Sequence, residues 1–378
     1  VHILIAPNAF KNSLSADAAA RAIADGLHSS RLACTSTCFP IADGGDGTGA
    51  LIIEQCKGQV LECEVSDPLG RKIKSQFGLI DGGKTAVIEM ADASGLRLLK
   101  REELNPMQAN SAGTGELIKK ALDLGVSKIL IAMGGSATVD GGCGILHTLG
   151  VRFYDMNGKQ LSPVPARLAE LAVIDLSGLD KRIAGCEIIV LCDVNNKLLG
   201  PEGSAAVFGP QKGASPADVI KLDDFLSRLD KAAEKQTGNK LSDLTYGGAA
   251  GGAAAGIAMF LNAKLVNGIA YFLQVTSFET ELQKANLLIT GEGSIDSQTL
   301  QGKGPFGVAQ MAKSKNIPVI GLAGKVPLAH DDELFKYFDV LLAIGDKPVD
   351  LAEALQDTRQ NLVRVGRSVG DLLSISQV

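Results

Sequence analysis

The residues Gln59-Val-Leu-Glu-Cys-Glu-Val-Ser-Asp-Pro-Leu-Gly-Arg-Lys-Ile-Lys-Ser-Gln-Phe-Gly-Leu-Ile-Asp-Gly-Gly-Lys-Thr-Ala-Val-Ile-Glu-Met90 read as three extended segments. They are Gln59–Val65, Arg71–Ile80 and Thr85–Met90, with turns at Asp67-Pro-Leu-Gly70 and Asp81-Gly-Gly83. Consecutive β-prone segments joined by tight turns predict an antiparallel meander. Toward both chain ends the pattern is different. Val1–Pro7 is strand-like, Ser15–Leu27 has apolar residues at helical spacing behind a Ser N-cap, and Ser36–Ala42 is strand-like again. Near the C-terminus, strands at Asn286–Thr290, Pro318–Leu322 and Val340–Ile344 are expected to alternate with helices at Pro305–Lys313 and Leu351–Leu373. Such alternation predicts a parallel sheet. The expectation is therefore an α/β protein of two unlike α/β domains. One is a parallel, doubly wound sheet of Rossmann or flavodoxin-like type built from both chain ends, residues 1–57 and 277–378. The other, residues 58–276, is an inserted mixed sheet containing the meander.

Within the insert, a helix is expected at Gly113–Leu124 and buried strands at Lys128–Met133 and Glu187–Leu191. An amphipathic helix follows at Pro216–Glu234. The tract Gly247–Gly256 runs into Ile257-Ala-Met-Phe-Leu261, which is too apolar for a linker, so a closely packed helix entered from a Gly-rich loop is expected.

Bulk properties narrow the function. The 378 residues are 46% hydrophobic and only 4% aromatic, with 44 Gly and no Trp. That favours an aliphatic core with many turns where ligands can approach backbone. A net charge of −5 without a basic run argues against nucleic-acid binding. Seven cysteines without a CxxC pair argue against a disulfide framework or zinc cage and suit a reducing cytoplasm. No apolar run approaches a membrane span and no secretory leader pattern is seen, so a membrane is not an expected partner. The missing initiator Met leads us to expect that residues upstream of Val1 have been trimmed.

Gly78-Leu-Ile-Asp-Gly-Gly-Lys-Thr85 fits a P-loop expression, but β-prone sequence follows it where a helix is required, so it reads as a turn. Gly291-Glu-Gly-Ser-Ile-Asp296 ends in Asp where a dinucleotide fingerprint needs Gly. The four histidines have no metal-ligand spacing. Five polar Gly-rich loops remain: Asp43–Thr48, Asn110–Glu116, Gly134–Gly142, Asp193–Gly213 and Thr290–Gly304. Most follow strand ends, where exposed N–H groups cradle anionic oxygens. Asp193 ends an apolar strand, a placement suited to a Mg²⁺ ligand or to a base acting on a hydroxyl. Asp43, Asp46, Asp140, Glu292 and Asp296 have similar settings, and Lys11 and Lys212 offer positive charge. Phosphoryl transfer fits this inventory, because positioning and charge neutralisation do most of its work. A non-catalytic sensor of a small hydroxy acid would use similar loops. A nicotinamide oxidoreductase is disfavoured by Asp296 and by the lack of a well-placed His.

Ala6-Pro-Asn-Ala-Phe-Lys-Asn-Ser-Leu-Ser-Ala16, Ala42-Asp-Gly-Gly-Asp-Gly-Thr48, Gly134-Gly-Ser-Ala-Thr-Val-Asp-Gly-Gly142, Cys192-Asp-Val194, Phe208-Gly-Pro-Gln-Lys-Gly213 and Thr290-Gly-Glu-Gly-Ser-Ile-Asp-Ser-Gln298, in this order, resemble the type-1 glycerate kinase family over nearly the whole chain. Departures are Asn8 and Asp46, where the family more usually has Asp and Glu, and Val139, where Asn is usual. Ala9 and Asn12 also differ. The resemblance implies ATP-dependent phosphorylation of D-glycerate with Mg²⁺, in a cleft between the domains, with 2-phosphoglycerate favoured over 3-phosphoglycerate. On that basis Asp193 is expected to deprotonate the attacking hydroxyl, with Lys11 and Lys212 neutralising charge. Asn8, Ser13, Asp43, Gly44, Gly45, Asp46, Gly134, Gly135, Ser136, Thr138, Gly291, Glu292, Gly293 and Ser294 are expected to bind substrate or nucleotide. Asp193, Glu292 and Asp296 are the expected Mg²⁺ ligands, with Asp43 and Asp46 as further candidates.

Overall fold

The computed structural model describes residues 1–375, so the last three residues of the expected 277–378 segment lie outside the described residues. The chain forms two compact units, 1–43 with 269 onward, and 44–268. It begins with β1 (His2–Ile5) and β2 (Thr35–Cys38). The inserted unit carries β3 (Gln59–Ser66), β4 (Lys72–Ile80), β5 (Thr85–Glu89) and β6 (Lys128–Ala132). After these come β7 (Arg152–Tyr154), β8 (Gln160–Leu161), β9 (Val173–Asp175), β10 (Glu187–Cys192) and β11 (Lys264–Asn267). The chain then returns with β12 (Leu287–Ser294), β13 (Val319–Lys325) and β14 (Val340–Ala343).

In the first unit the strand order is β2-β1-β12-β13-β14, parallel throughout. This is the flavodoxin-like order, and its direction of winding reverses between β1 and β12. Ile3, Ile5, Leu287, Ile289 and Leu322 share one core with the helices Ala16–His28 and Thr358–Ile375. Strand alternation turns Leu4 and Leu288 to the other face, where they too are fully buried. Both faces are covered, which parallel sheets require. The two helices touch through glycine: a β-carbon on Gly26 would lie 2.3 Å from the Val363 carbonyl oxygen. The helix expected at Leu351–Leu373 is broken at Asp357 into Leu351–Gln356 and Thr358–Ile375.

In the second unit the order is β11-β10-β6-β5-β4-β3. β11, β10, β6 and β5 run parallel, and β5-β4-β3 form the antiparallel meander. Asp81–Gly83 is a 3₁₀ turn between β4 and β5, so the P-loop match is a hairpin. The Gly/Ala tract leads into the helix Ala253–Leu261, as its apolar continuation predicts. A small sheet, β8-β7-β9, was not expected; its strands are only two or three residues long.

The units divide at 43/44 and 268/269, where the sequence suggested 57/58 and 276/277. The helix Thr48–Gln55 goes with the second unit because its Ile53 packs onto the bare backbone of Gly78 in β4. Ile269 goes with the first because it packs against Gly307. Among the described residues no helix is long and apolar enough to cross a membrane. Gly26→Ala should overpack the helix contact and cost roughly 1–3 kcal/mol. The measurement is the denaturation midpoint, and an unchanged midpoint would show that the helices can separate freely.

Candidate active site

In both sheets the parallel strands run into polar loops at their carboxyl ends. In the first unit, the chain leaving β1 stays beside β12, with the Ala6 and Asn8 N–H groups donating to the carbonyls of Ile289 (2.7 Å) and Gly291 (2.8 Å). This puts Asn8 and Glu292 at the point where the winding reverses, where open α/β sheets bind ligands. Asn8 Nδ2 donates to Asp43 Oδ2 at 2.9 Å, and the Gly304 N–H donates to the same oxygen at 3.3 Å. Glu292 is almost fully buried and accepts the Thr299 hydroxyl at 3.2 Å. Burial, together with the charge of Asp43, pushes its carboxyl up to about 7 against the opposing pull of Lys303, Thr299 and Lys11. Lys11 itself is exposed.

Other expected residues of this unit also hydrogen-bond or pair within the fold. The Ser13 hydroxyl donates to the Leu355 carbonyl. Asp296 accepts from Ser294 Oγ at 3.1 Å and from the Gln298 N–H at 2.9 Å, forming a turn. Gly291, Glu292, Gly293 and Ser294 were expected in a loop presenting N–H groups. They are instead the last residues of β12, and Gly291, Glu292 and Ser294 pair with Leu322, Ala323 and Lys325 of β13. The sheet ladder therefore claims part of that backbone. Gly291 is required for close packing, since a β-carbon there would lie 2.1 Å from the Leu322 carbonyl oxygen.

In the second unit, Asp193 directly follows β10. Lys212 is 2% exposed, and its Nζ donates to Ser136 Oγ at 2.9 Å and to the Thr138 carbonyl at 2.7 Å. Burial pushes the ammonium down to about 7, although Asp140 and Asp193 pull the other way. Asp140 is fully buried and accepts the N–H groups of Ser111, Gly142 and Gly144 and the Ser111 hydroxyl, within 3.1 Å. Burial nevertheless raises its carboxyl above the ordinary range. A cavity of about 90 Å³ is lined by Gly134, Gly135, Ser136, Asp193 and Lys212 among others. A larger cavity, about 710 Å³, lies around Leu179–Glu187 and Lys264, at the amino ends of β10 and β11, away from this chemistry.

The loop 44–46 forms part of the same construction. The Gly134 N–H donates to the Gly44 carbonyl at 3.1 Å, and a β-carbon on Gly134 would lie 2.3 Å from the Asp46 nitrogen. Gly44, at φ +101°, would place a β-carbon 3.1 Å from the Asp193 nitrogen. The segment Gly134–Thr138 was expected to present its N–H groups, but those of Gly134 and Ala137 are taken by Gly44 and Ser94. Thr138 contributes its carbonyl, while its buried hydroxyl has no partner.

Sequence reading passed over Glu89, which ends β5 and is 5% exposed. Its carboxylate accepts the N–H groups of Gly47 and, at 3.1 Å, Gly49. Burial, with the Asp46 carboxyl hydrogen-bonded to it, pushes Glu89 up to about 7. An acid terminating an apolar strand is the signal that singled out Asp193, and Glu89 carries it too. Among the described residues, no group of three or more His, Cys, Asp or Glu is gathered as a metal site. Asp193 belongs to one unit, Glu292 and Asp296 to the other.

The family description that matches residues 3–374 is the glycerate kinase family. The chain belongs to the glycerate kinase family. A glycerate kinase of Bacillus subtilis (strain 168) is 42% identical over 375 residues, covering 99% of this chain and 98% of that protein. A glycerate 2-kinase of Escherichia coli (strain K12) is 41% identical over 377 residues, covering 99% and 98%. A crystal structure from Salmonella typhimurium LT2, 41% identical, superposes with a TM-score of 0.84 and covers 100% of this chain and 99% of that one. Membership makes the chain a phosphotransferase.

Burial of Lys212 makes stability depend on pH. An amine whose folded pKa, about 7, lies below its ordinary 10.5 binds its proton less tightly when folded. Between those values the unfolded chain holds the extra proton, so stability rises with pH across that window, and the deficit is complete below it. Lys212→Met removes the effect. The wild type should therefore gain melting temperature relative to the variant as pH rises from ~7 to ~9.5. A constant difference over that range would show that Lys212 titrates normally.

Proposed function

We propose that the chain transfers the γ-phosphoryl group of ATP to the C2 hydroxyl of D-glycerate, giving 2-phosphoglycerate and ADP. The observation that carries this reading is that buried Lys212 and Asp193 line one cavity of about 90 Å³. That space suits a small acid and is far too small for a nucleotide. Lys212 neutralises the substrate carboxylate, and water exclusion strengthens the attraction. Asp193 accepts the hydroxyl proton as the oxygen attacks phosphorus, and the bond from phosphorus to the ADP oxygen breaks. Gly135 and Ser136 form the backbone wall of the pocket. The name of the E. coli relative, a glycerate 2-kinase, supports the C2 position.

Asn8, Asp43 and Glu292 form the second part of the machinery, which we assign to the nucleotide, with Lys11 supplying charge. Mg²⁺ takes oxygen ligands and is usually held by one or two carboxylates plus substrate phosphates. Glu292 and Asp43 offer such oxygens, and a cation would relieve the cost of ionising buried Glu292. They would hold the metal, with Asp296 shaping the turn beneath, and the metal would neutralise charge on the phosphates. We place the activity in the cytoplasm, because seven cysteines without a CxxC pair suit a reducing compartment.

Incubation with ATP, Mg²⁺ and D-glycerate, followed by phosphorus NMR, should show 2-phosphoglycerate. A 3-phosphoglycerate signal would move the acceptor to C3, and glycerate-independent ATP loss alone would overturn the reading. Asp193→Asn should lower kcat by about 10²–10⁴-fold at an unchanged melting temperature. Near-normal turnover would remove Asp193 as the base.

A further inference from the structure

Glu89 does not line the glycerate pocket, yet its carboxyl holds the 46–49 segment, which packs behind residues that do. One oxygen takes the Gly47 N–H, the other the Gly49 N–H, and the Asp46 carboxyl is hydrogen-bonded to it. Gly47 and Gly49 are the entry to the helix Thr48–Gln55, whose N-cap, Gly47, has no side chain to satisfy the first orphan N–H groups. A carboxylate from another element does so here, with the favourable sign for a helix N-terminus. On its far side the same loop packs against residues that line the pocket: Gly45 and Asp46 against Gly134, the Asp46 side chain against Gly135, and Gly44 against the Asp193 backbone. β5 itself is an interior strand, held on one side by β6 and on the other by β4. Glu89 is thus anchored on a rigid element and reaches a loop that has only glycine and short side chains to hold itself.

We propose that Glu89 is a positioning residue for D-glycerate: by holding Gly47, Gly49 and Asp46 it fixes the 44–46 loop against Gly134, Gly135 and Asp193, and so sets the shape of the pocket. This rests on the reading of that pocket as the glycerate site. Gln at this position keeps the volume but replaces one acceptor with an NH₂ donor, which cannot take both N–H groups. The loop then shifts, and the effect reaches the substrate through Gly134, Gly135 and Asp193, against which the loop packs.

The test is steady-state kinetics of Glu89→Gln, varying D-glycerate and ATP separately, with melting temperature measured alongside. The expected result is a rise in KM for D-glycerate of about tenfold, as expected for misplaced binding contacts, with KM for ATP within about twofold. Gly49→Ala approaches the same contact from the loop side, since its β-carbon would lie 3.1 Å from Glu89 Oε2. It should shift the same constant in the same direction by a smaller factor, and it keeps the proposal testable if Glu89→Gln does not fold. Unchanged KM for D-glycerate in the folded variants, or an equal rise in both KM values, would overturn the proposal. Near-normal turnover in Asp193→Asn would instead be a failure of the pocket assignment, and the two outcomes are separable.

Discussion

At the carboxyl edge of the second sheet, two glycine-lined loops occupy space that a single extra carbon would fill. The Gly134 backbone lies so close to Gly45 that a β-carbon would approach its carbonyl carbon to 2.2 Å. Close packing of this kind tolerates little displacement. Asp193, Ser136 and Lys212 are placed by that contact, because each belongs to a loop that either makes it or leans on it. The strands supply the direction and the glycines supply the proximity.

The electrostatics of both units follow from burial with few counter-charges. Lys212 and Glu292 are opposite in sign, yet burial moves both toward neutrality near pH 7. A group held near its titration point responds strongly to a ligand of opposite charge. An anionic carboxylate would draw a proton onto Lys212, and a cation would draw one off Glu292.

Much of the fold could be read from the chain. The turns Asp67–Gly70 and Asp81–Gly83 mark a meander because each joins two β-prone runs, and the structure pairs those runs antiparallel. The alternation at both ends gives a parallel sheet for the reason that β1 and β12 can pair only if the ends meet. Boundaries were less legible. Ile53 has no sequence mark telling it to pack on Gly78 of a later strand, and Gly291–Ser294 look like a loop because glycines mark turns and tight strand packing alike.

The candidate site divides along the same line. The sequence alone determined which chemical groups are available, because an acid after an apolar strand and a lysine in a Gly-rich stretch are local features. Only the tertiary structure decided their state: that Lys212 is buried against Ser136 and Thr138, that Ser13 and Asp296 hydrogen-bond to backbone groups, and that Glu89 accepts N–H groups of the 47–49 segment. Burial and hydrogen bonding depend on residues brought together from distant parts of the chain, and a linear pattern carries no record of which of its polar groups the fold will consume.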